Sequence, residues 1–168
     1  MCIRDRVRDV LQAFLGTLLA VAVYALAGAA APGLLVVFNA FSVVVLCFAV
    51  RRGEVFGALL GTMCGLAQDA FSLGVFGVAG LSKTMLGFWA GYVSRRIDVA
   101  SWSRNALFML ALAVLETALW VVLTAVVRAG PVNLHGGLIA LQPVVTAALG
   151  TAFLALGRWA AARRARGA

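Results

Sequence analysis

Charge is nearly absent from the long middle of this chain. From residue 10 to residue 157 the sequence runs in apolar stretches about as long as a membrane-crossing helix. Only Asp69, Lys83 and Glu116 interrupt their interiors with charge. Of 168 residues, 64% are hydrophobic and 12% charged, against roughly 45–50% and about 25% in a soluble domain. One soluble core could not hide so much apolar surface. The balance excludes a soluble enzyme, a disordered chain and a disulfide scaffold, and it points to an integral membrane protein. At one span per ~20 apolar residues the length allows about six transmembrane helices and no soluble domain.

The expected architecture is an all-α polytopic bundle forming a single membrane domain over residues 1–168. Its spans fall at about 10–30, 34–50, 55–71, 78–93, 105–127 and 138–157. Pro32-Gly33 marks the first turn, and Arg51-Arg52-Gly53-Glu54 ends the second segment. Residues 55–93 are too many for one helix, and the Ser/Gly cluster from Ser72 to Gly77 marks the break. The opening MCIRDR resembles a translated sequencing-adapter remnant, so Arg4 and Arg6 carry little weight.

Orientation follows from the arginines. With six spans, the N-terminus, the 51–54 turn, the 94–104 loop and the tail share one side. That side holds arginines 4, 6, 8, 51, 52, 95, 96, 104, 158, 163, 164 and 166, whereas the other holds only Arg128. Basic residues favour the cytoplasmic side, so both termini are expected there. The net charge of +8 is thus a topology signal, and no nucleic-acid partner is expected. The terminal arginines read most simply as an anchor beside anionic lipid.

A charge at the bilayer centre costs roughly 2.5–3.5 kcal/mol on insertion scales and normally faces a partner or a cavity. Asp69 lies about 21 Å along its helix and Lys83 about 9 Å below the outer end of the next one. Their depths nearly match, and we expect them to pair across a helical hairpin, either as a structural salt bridge or as a ligand site. Glu116 lies near mid-membrane, with Asn39, Gln68 and Gln142 as candidate hydrogen-bond partners. Gly57, Gly61 and Gly65 share one helix face, as do Gly87 and Gly91. Small residues at this spacing let backbones approach closely, within the fold or against another protein's helix. Gly74, Gly77 and Gly80 do not form a nucleotide loop, because no strand precedes them and no Lys-Ser/Thr follows. A single His135 and cysteines at 2, 47 and 64 offer no metal site, disulfide framework or catalytic arrangement. No cofactor is expected.

The hairpin carries a resemblance. The stretch from Gly57 through Gly61, Gly65, Asp69, Ser72 and Gly74 to Gly77 is a Gly-rich helix ending in Asp and a Ser/Gly turn. Its continuation, Leu81-Ser-Lys83-Thr-Met-Leu-Gly87-Phe-Trp-Ala-Gly91-Tyr-Val-Ser-Arg95-Arg96, is rich in small residues and has a basic end. Together they resemble the core of the rod-shape-determining protein MreD family over about 40 residues. The resemblance implies a non-catalytic inner-membrane member of the bacterial elongation machinery. Such a member acts with MreC, MreB, RodA and a class B penicillin-binding transpeptidase, the glycine faces supplying close contact. The vitamin-binding S-components of energy-coupling transporters share a related Gly-rich six-helix plan. They imply the alternative, a small-solute binding subunit.

Overall fold

A computed structural model describes residues 3–30, 33, 37–72, 75–96, 102–128 and 135–166. Among the described residues six α-helices are bounded: α1 (Ile3–Ala30), α2 (Ala40–Arg52), α3 (Glu54–Phe71), α4 (Val78–Ser94), α5 (Trp102–Arg128) and α6 (Gln142–Arg166). A 3-10 helix, His135–Leu141, leads into α6. No strand occurs among the described residues.

The helices alternate in direction. Gly16 of α1 packs against Val44 and Phe48 of α2, while Tyr24 meets Phe41, so these two run antiparallel. Further along the chain, α3 and α4 form an antiparallel hairpin, with Gly57 on Gly87 and Gly65 on Ala79. The Cys47 thiol contacts the Gly150 carbonyl and Arg51 lies across Gly157, so α6 runs parallel to α2. One end of the bundle therefore gathers the Gly53 turn, the end of α4, the start of α5 and the arginine-rich end of α6.

The burial pattern is inverted relative to a soluble protein. Leu26 and Val126 are 70% and 73% exposed, whereas Ser42, Ser82, Lys83, Asn105, Thr146 and Thr151 are buried. Contiguous apolar patches beyond a few hundred Å² are rare on soluble monomers; here they cover the outer faces of α1, α3, α5 and α6. Three segments are long and apolar enough to cross a bilayer: Val10–Ala29, Ser103–Arg128 and Ile139–Gly157. Outward apolar faces and inward polar groups are those of a helical membrane protein.

The central helix is the shortest. Its 13 residues make α2 only about 20 Å long. Phe41, Val45, Leu46 and Ala49 have no exposed surface, because α1, α3, α4 and α6 surround them. The apolar run suggested one continuous helix from residue 34. Instead Asn39 is extended (φ −112°, ψ 91°) and caps α2 by accepting from the Ser42 N–H at 3.3 Å. Residues 34–36 lie outside the described part. Asn competes with the backbone for hydrogen bonds and so favours a cap over a helix interior.

The hairpin break falls where the Ser/Gly cluster placed it. Phe71 ends α3, and Gly77 precedes α4 at φ +97°, a left-handed conformation that glycine adopts without strain. Between the two helices the glycines interlock. A Cβ at Gly57 would overlap the Gly87 carbonyl, one at Gly61 the Lys83 carbonyl, and one at Gly65 the Ala79 carbonyl. Gly91 meets the Gly53–Glu54 backbone in the same way. All five glycines are thus used inside the fold. Of the two expected uses of these faces, packing within the fold is the one seen: each is covered by the facing backbone of the hairpin. Thr62 and Thr84 add an interhelical hydroxyl contact at 2.7 Å.

Gly61→Ala should lower the apparent melting temperature in detergent, at a cost of about 1–3 kcal/mol from overpacking against backbone that cannot yield. Gly150→Ala is the control, since its Cβ would meet only the Met109 sulfur at 3.7 Å. It should be neutral or mildly stabilising. Equal melting of both variants would show that the hairpin has room to spare.

Candidate functional site

Two buried polar sites lie at different levels of the hairpin. The upper one surrounds Asp69, two residues before the end of α3. Its Oδ2 accepts from the Gly77 N–H at 2.9 Å and the Gly80 N–H at 3.0 Å, while Oδ1 accepts from the Ala79 N–H at 3.2 Å. The first N–H groups of a helix have no partner within it and carry a partial positive charge. Asp69 supplies the partner and the countercharge to the start of α4. Ser72 contacts the Asp69 carbonyl at 3.4 Å, which ties down the turn.

The lower site is the heart of the bundle. Lys83 points from α4 toward α2 and α5, and its ammonium contacts the Glu116 Oε1 as an ion pair. The ammonium also donates to the Ser42 hydroxyl at 2.7 Å, and that hydroxyl donates to the same Glu116 oxygen at 2.6 Å. Lys83 is 1% exposed, Ser42 0% and Glu116 6%. Three helices thus contribute one side chain each to a closed cycle of lysine, serine and glutamate. Asn39 stands beside it through its bond to the Ser42 N–H.

This geometry corrects the expected Asp69–Lys83 pair. The two residues belong to one hairpin, but Lys83 lies six residues beyond Gly77, about 9 Å further along α4. Asp69 has nearer donors in the start of α4, and Lys83 has a nearer carboxylate in Glu116. The expected partners of Glu116 are corrected too. Gln68 Oε1 has no hydrogen-bond partner, Gln142 opens α6, and Asn39 reaches the site only through the backbone of Ser42. Sequence reasoning identified both charges of the cycle but not Ser42. The available signal was Ser42 three residues after Asn39, the spacing at which a capping side chain meets a helix backbone.

Chemically, the centre is a satisfied ion pair, and its lysine is held as a donor. A serine activated by lysine needs a neutral amine to take its proton. Here the ammonium is committed to a carboxylate, and the serine itself donates to that carboxylate. At the basic end, Arg95 caps the hairpin: its Nη2 donates to the Arg52 carbonyl at 3.2 Å and its Nε lies 3.4 Å from Glu54. His135 opens the 3-10 helix; Cys47 and Cys64 are buried free thiols. Comparison of the chain with protein-family models, with curated proteins and with solved structures gives no match.

Lys83→Met and Glu116→Gln should each lower the thermal stability of the purified protein. Breaking a buried pair typically costs about 3–5 kcal/mol, because it leaves one partner uncompensated. The double variant should recover much of the loss, whereas Lys83→Met with Asp69→Asn should be additive. Coupling of Lys83 to Asp69 in place of Glu116 would refute the assignment.

Proposed function

We propose that this chain is a non-catalytic scaffold of the bacterial cell-elongation machinery, of the MreD type. It would support rod shape and lateral peptidoglycan synthesis through MreC, and through MreC with MreB, RodA and a class B penicillin-binding transpeptidase. The observation that carries the reading is the hairpin. The stretch that resembles the MreD family, Gly57 to Arg96, forms α3 and α4, the pair of helices in closest backbone contact. Within that stretch Gly57, Gly61, Gly65, Gly87 and Gly91 admit the facing backbone, Asp69 caps α4, and Lys83 ties α4 to α2 and α5.

The proposed placement is an inner membrane crossed six times, with both termini in the cytoplasm. The alternating helix directions support it, as does the arginine asymmetry. Aromatic residues gather at the same basic end: Phe88, Trp89 and Tyr92 form a cluster on α4, Arg96 covers the Tyr92 ring at 4.2 Å, and Arg163 covers Trp159 at 3.8 Å. Belts of Trp and Tyr mark membrane–water interfaces, and arginine favours the cytoplasmic one.

One observation favours the solute-binding alternative. The N-terminal end of α2 lies inside the bundle beside Lys83 and Glu116, and interrupted helices near mid-membrane often form transporter sites. Against it, Lys83, Ser42 and Glu116 already partner one another.

Depletion in a rod-shaped host should give rounded, swollen cells, and MreC should be retained when the chain is purified in mild detergent. Normal rods after verified depletion, or tight binding of a vitamin-like solute without retained MreC, would reverse the choice. Placement is tested separately. A cysteine at Asn133 should react with an impermeant maleimide applied to intact cells, and one at Ser101 should not. Labelling at Ser101 would sink the six-span topology.

A further inference from the structure

An open apolar groove of about 330 Å³ runs between α1 and α6, with α2 as its floor. Val44, Cys47 and Phe48 form the floor, Gly16 and Ala20 one wall, and Phe153 the other. The lining gives water no hydrogen-bond partners, and an unfilled groove would forfeit dispersion contacts along its walls. Something apolar therefore occupies it in a bilayer.

Length and charge decide what. Along α2 the groove runs from Ala40 to Phe48, about 12 Å. A crossing helix needs a seam along the ~30 Å hydrocarbon core, whereas one leaflet's chains span about half of that. Arg51 stands one turn beyond Phe48, at the basic end, where its guanidinium lies across Gly157 next to the lining residue Leu156. From Arg51 to Ala40 is about 16 Å, again one leaflet. Arg51 is exposed, and its guanidinium has no ion pair or hydrogen bond among the described residues. Arg163, stacked on exposed Trp159, adds a second cation further along α6.

We propose that this groove is a binding site for one anionic phospholipid, with an acyl chain between α1 and α6 and the phosphate on Arg51. In lipid an apolar groove alone gains little, since one chain replaces another. Selectivity comes from the arginine, as in basic pockets between helices that hold acidic headgroups. The inference rests on the proposed placement of the basic end at a membrane surface, and not on any role in wall synthesis. The cysteine-labelling experiment tests that placement independently.

The test uses the purified full-length chain in detergent, titrated with phosphatidylglycerol, phosphatidylcholine or glycerol 3-phosphate and read by native mass spectrometry. Phosphatidylglycerol should be retained over phosphatidylcholine, and glycerol 3-phosphate should not bind. Arg51→Gln should weaken phosphatidylglycerol about fivefold, the equivalent of about 1 kcal/mol for one arginine beside an anionic surface, and weaken phosphatidylcholine, whose choline offsets the phosphate charge, distinctly less. Ala152→Trp, which fills the groove from α6, should weaken both lipids. Equal retention of the two lipids, or an Arg51→Gln protein with unchanged selectivity, would overturn the proposal. Glycerol 3-phosphate binding as tightly as the lipid would assign Arg51 to a soluble phosphate instead. Dimers lost in Ala152→Trp, with lipid retention unaltered, would give the groove to a second copy of the chain. Arg51→Gln alters only an exposed side chain, so it decides the matter even if Ala152→Trp fails to fold.

Discussion

A lysine ammonium cannot remain alone in hydrocarbon, and the bundle is arranged around the way Lys83 is neutralised. On one side of that turn of α4 the side chain meets Glu116 and Ser42. On the other side the Lys83 carbonyl lies under Gly61 of α3, so closely that no Cβ could be accommodated. Four helices therefore converge on a single turn. Sliding α4 by one turn, about 5.4 Å, would strand both charges and drive side chains into the glycine contacts. Lateral association of helices in lipid draws little from burying apolar faces. Register must come from polar bonds and steric fit, and here both act at the same level.

Two carboxylates enter the interior, and each meets a different kind of positive charge. Glu116 takes the ammonium. Asp69 takes the start of α4, where three N–H groups converge on one side chain. That division gives three of the N–H groups at the start of α4 a charged partner. Gly77, in the left-handed region, bends the chain back so that these donors face Asp69. The hairpin is thereby fixed at its tip by Asp69, along its length by glycines and threonines, and at its base by Arg95 on Glu54 and the Arg52 carbonyl.

Much of this was legible in the sequence, and what was not has a physical reason. Hydropathy located the helices because apolar runs are dictated by the solvent, and the Ser/Gly cluster located the hairpin break. Gly57, Gly61, Gly65, Gly87 and Gly91 announced close packing by spacing alone. Which faces meet is a tertiary fact, and the hairpin claimed them all. Asp69 and Lys83 were recognisable as functional to the fold, yet their pairing was misjudged because depth was measured along each helix from its own end. Glu116 lies about 18 Å from the Arg128 end of α5 and Lys83 about 9 Å from the Gly77 end of α4. Their contact means that, for axes near parallel, the hairpin tip stops about 9 Å short of the end of α5. Ser42 was hidden for a related reason: a lone serine in an apolar run carries no signal until the cap at Asn39 shows that the helix starts there.

The internal use of the polar groups limits how the molecule can meet anything else. Glu116, Lys83, Ser42 and Asp69 are spent on one another or on backbone, and the hairpin glycines face their own partner strand of helix. What remains outward is mainly apolar side chain on α1, α3, α4, α5 and α6, together with the arginines and aromatic rings of the basic end. Apolar faces in lipid discriminate poorly between a neighbour and the solvent, since a leucine on another helix offers nearly what an acyl chain offers. Directional recognition must then come from the ends, where arginine meets phosphate or carboxylate in a less polar setting than bulk water. The basic end holds most of the described exposed cations of this fold, with Arg128 at the other end of α5, and α1, the least buried of the three long apolar segments, begins there. The basic end thus offers a directional contact that an apolar face in lipid does not, and the polar centre holds together the helices that present it.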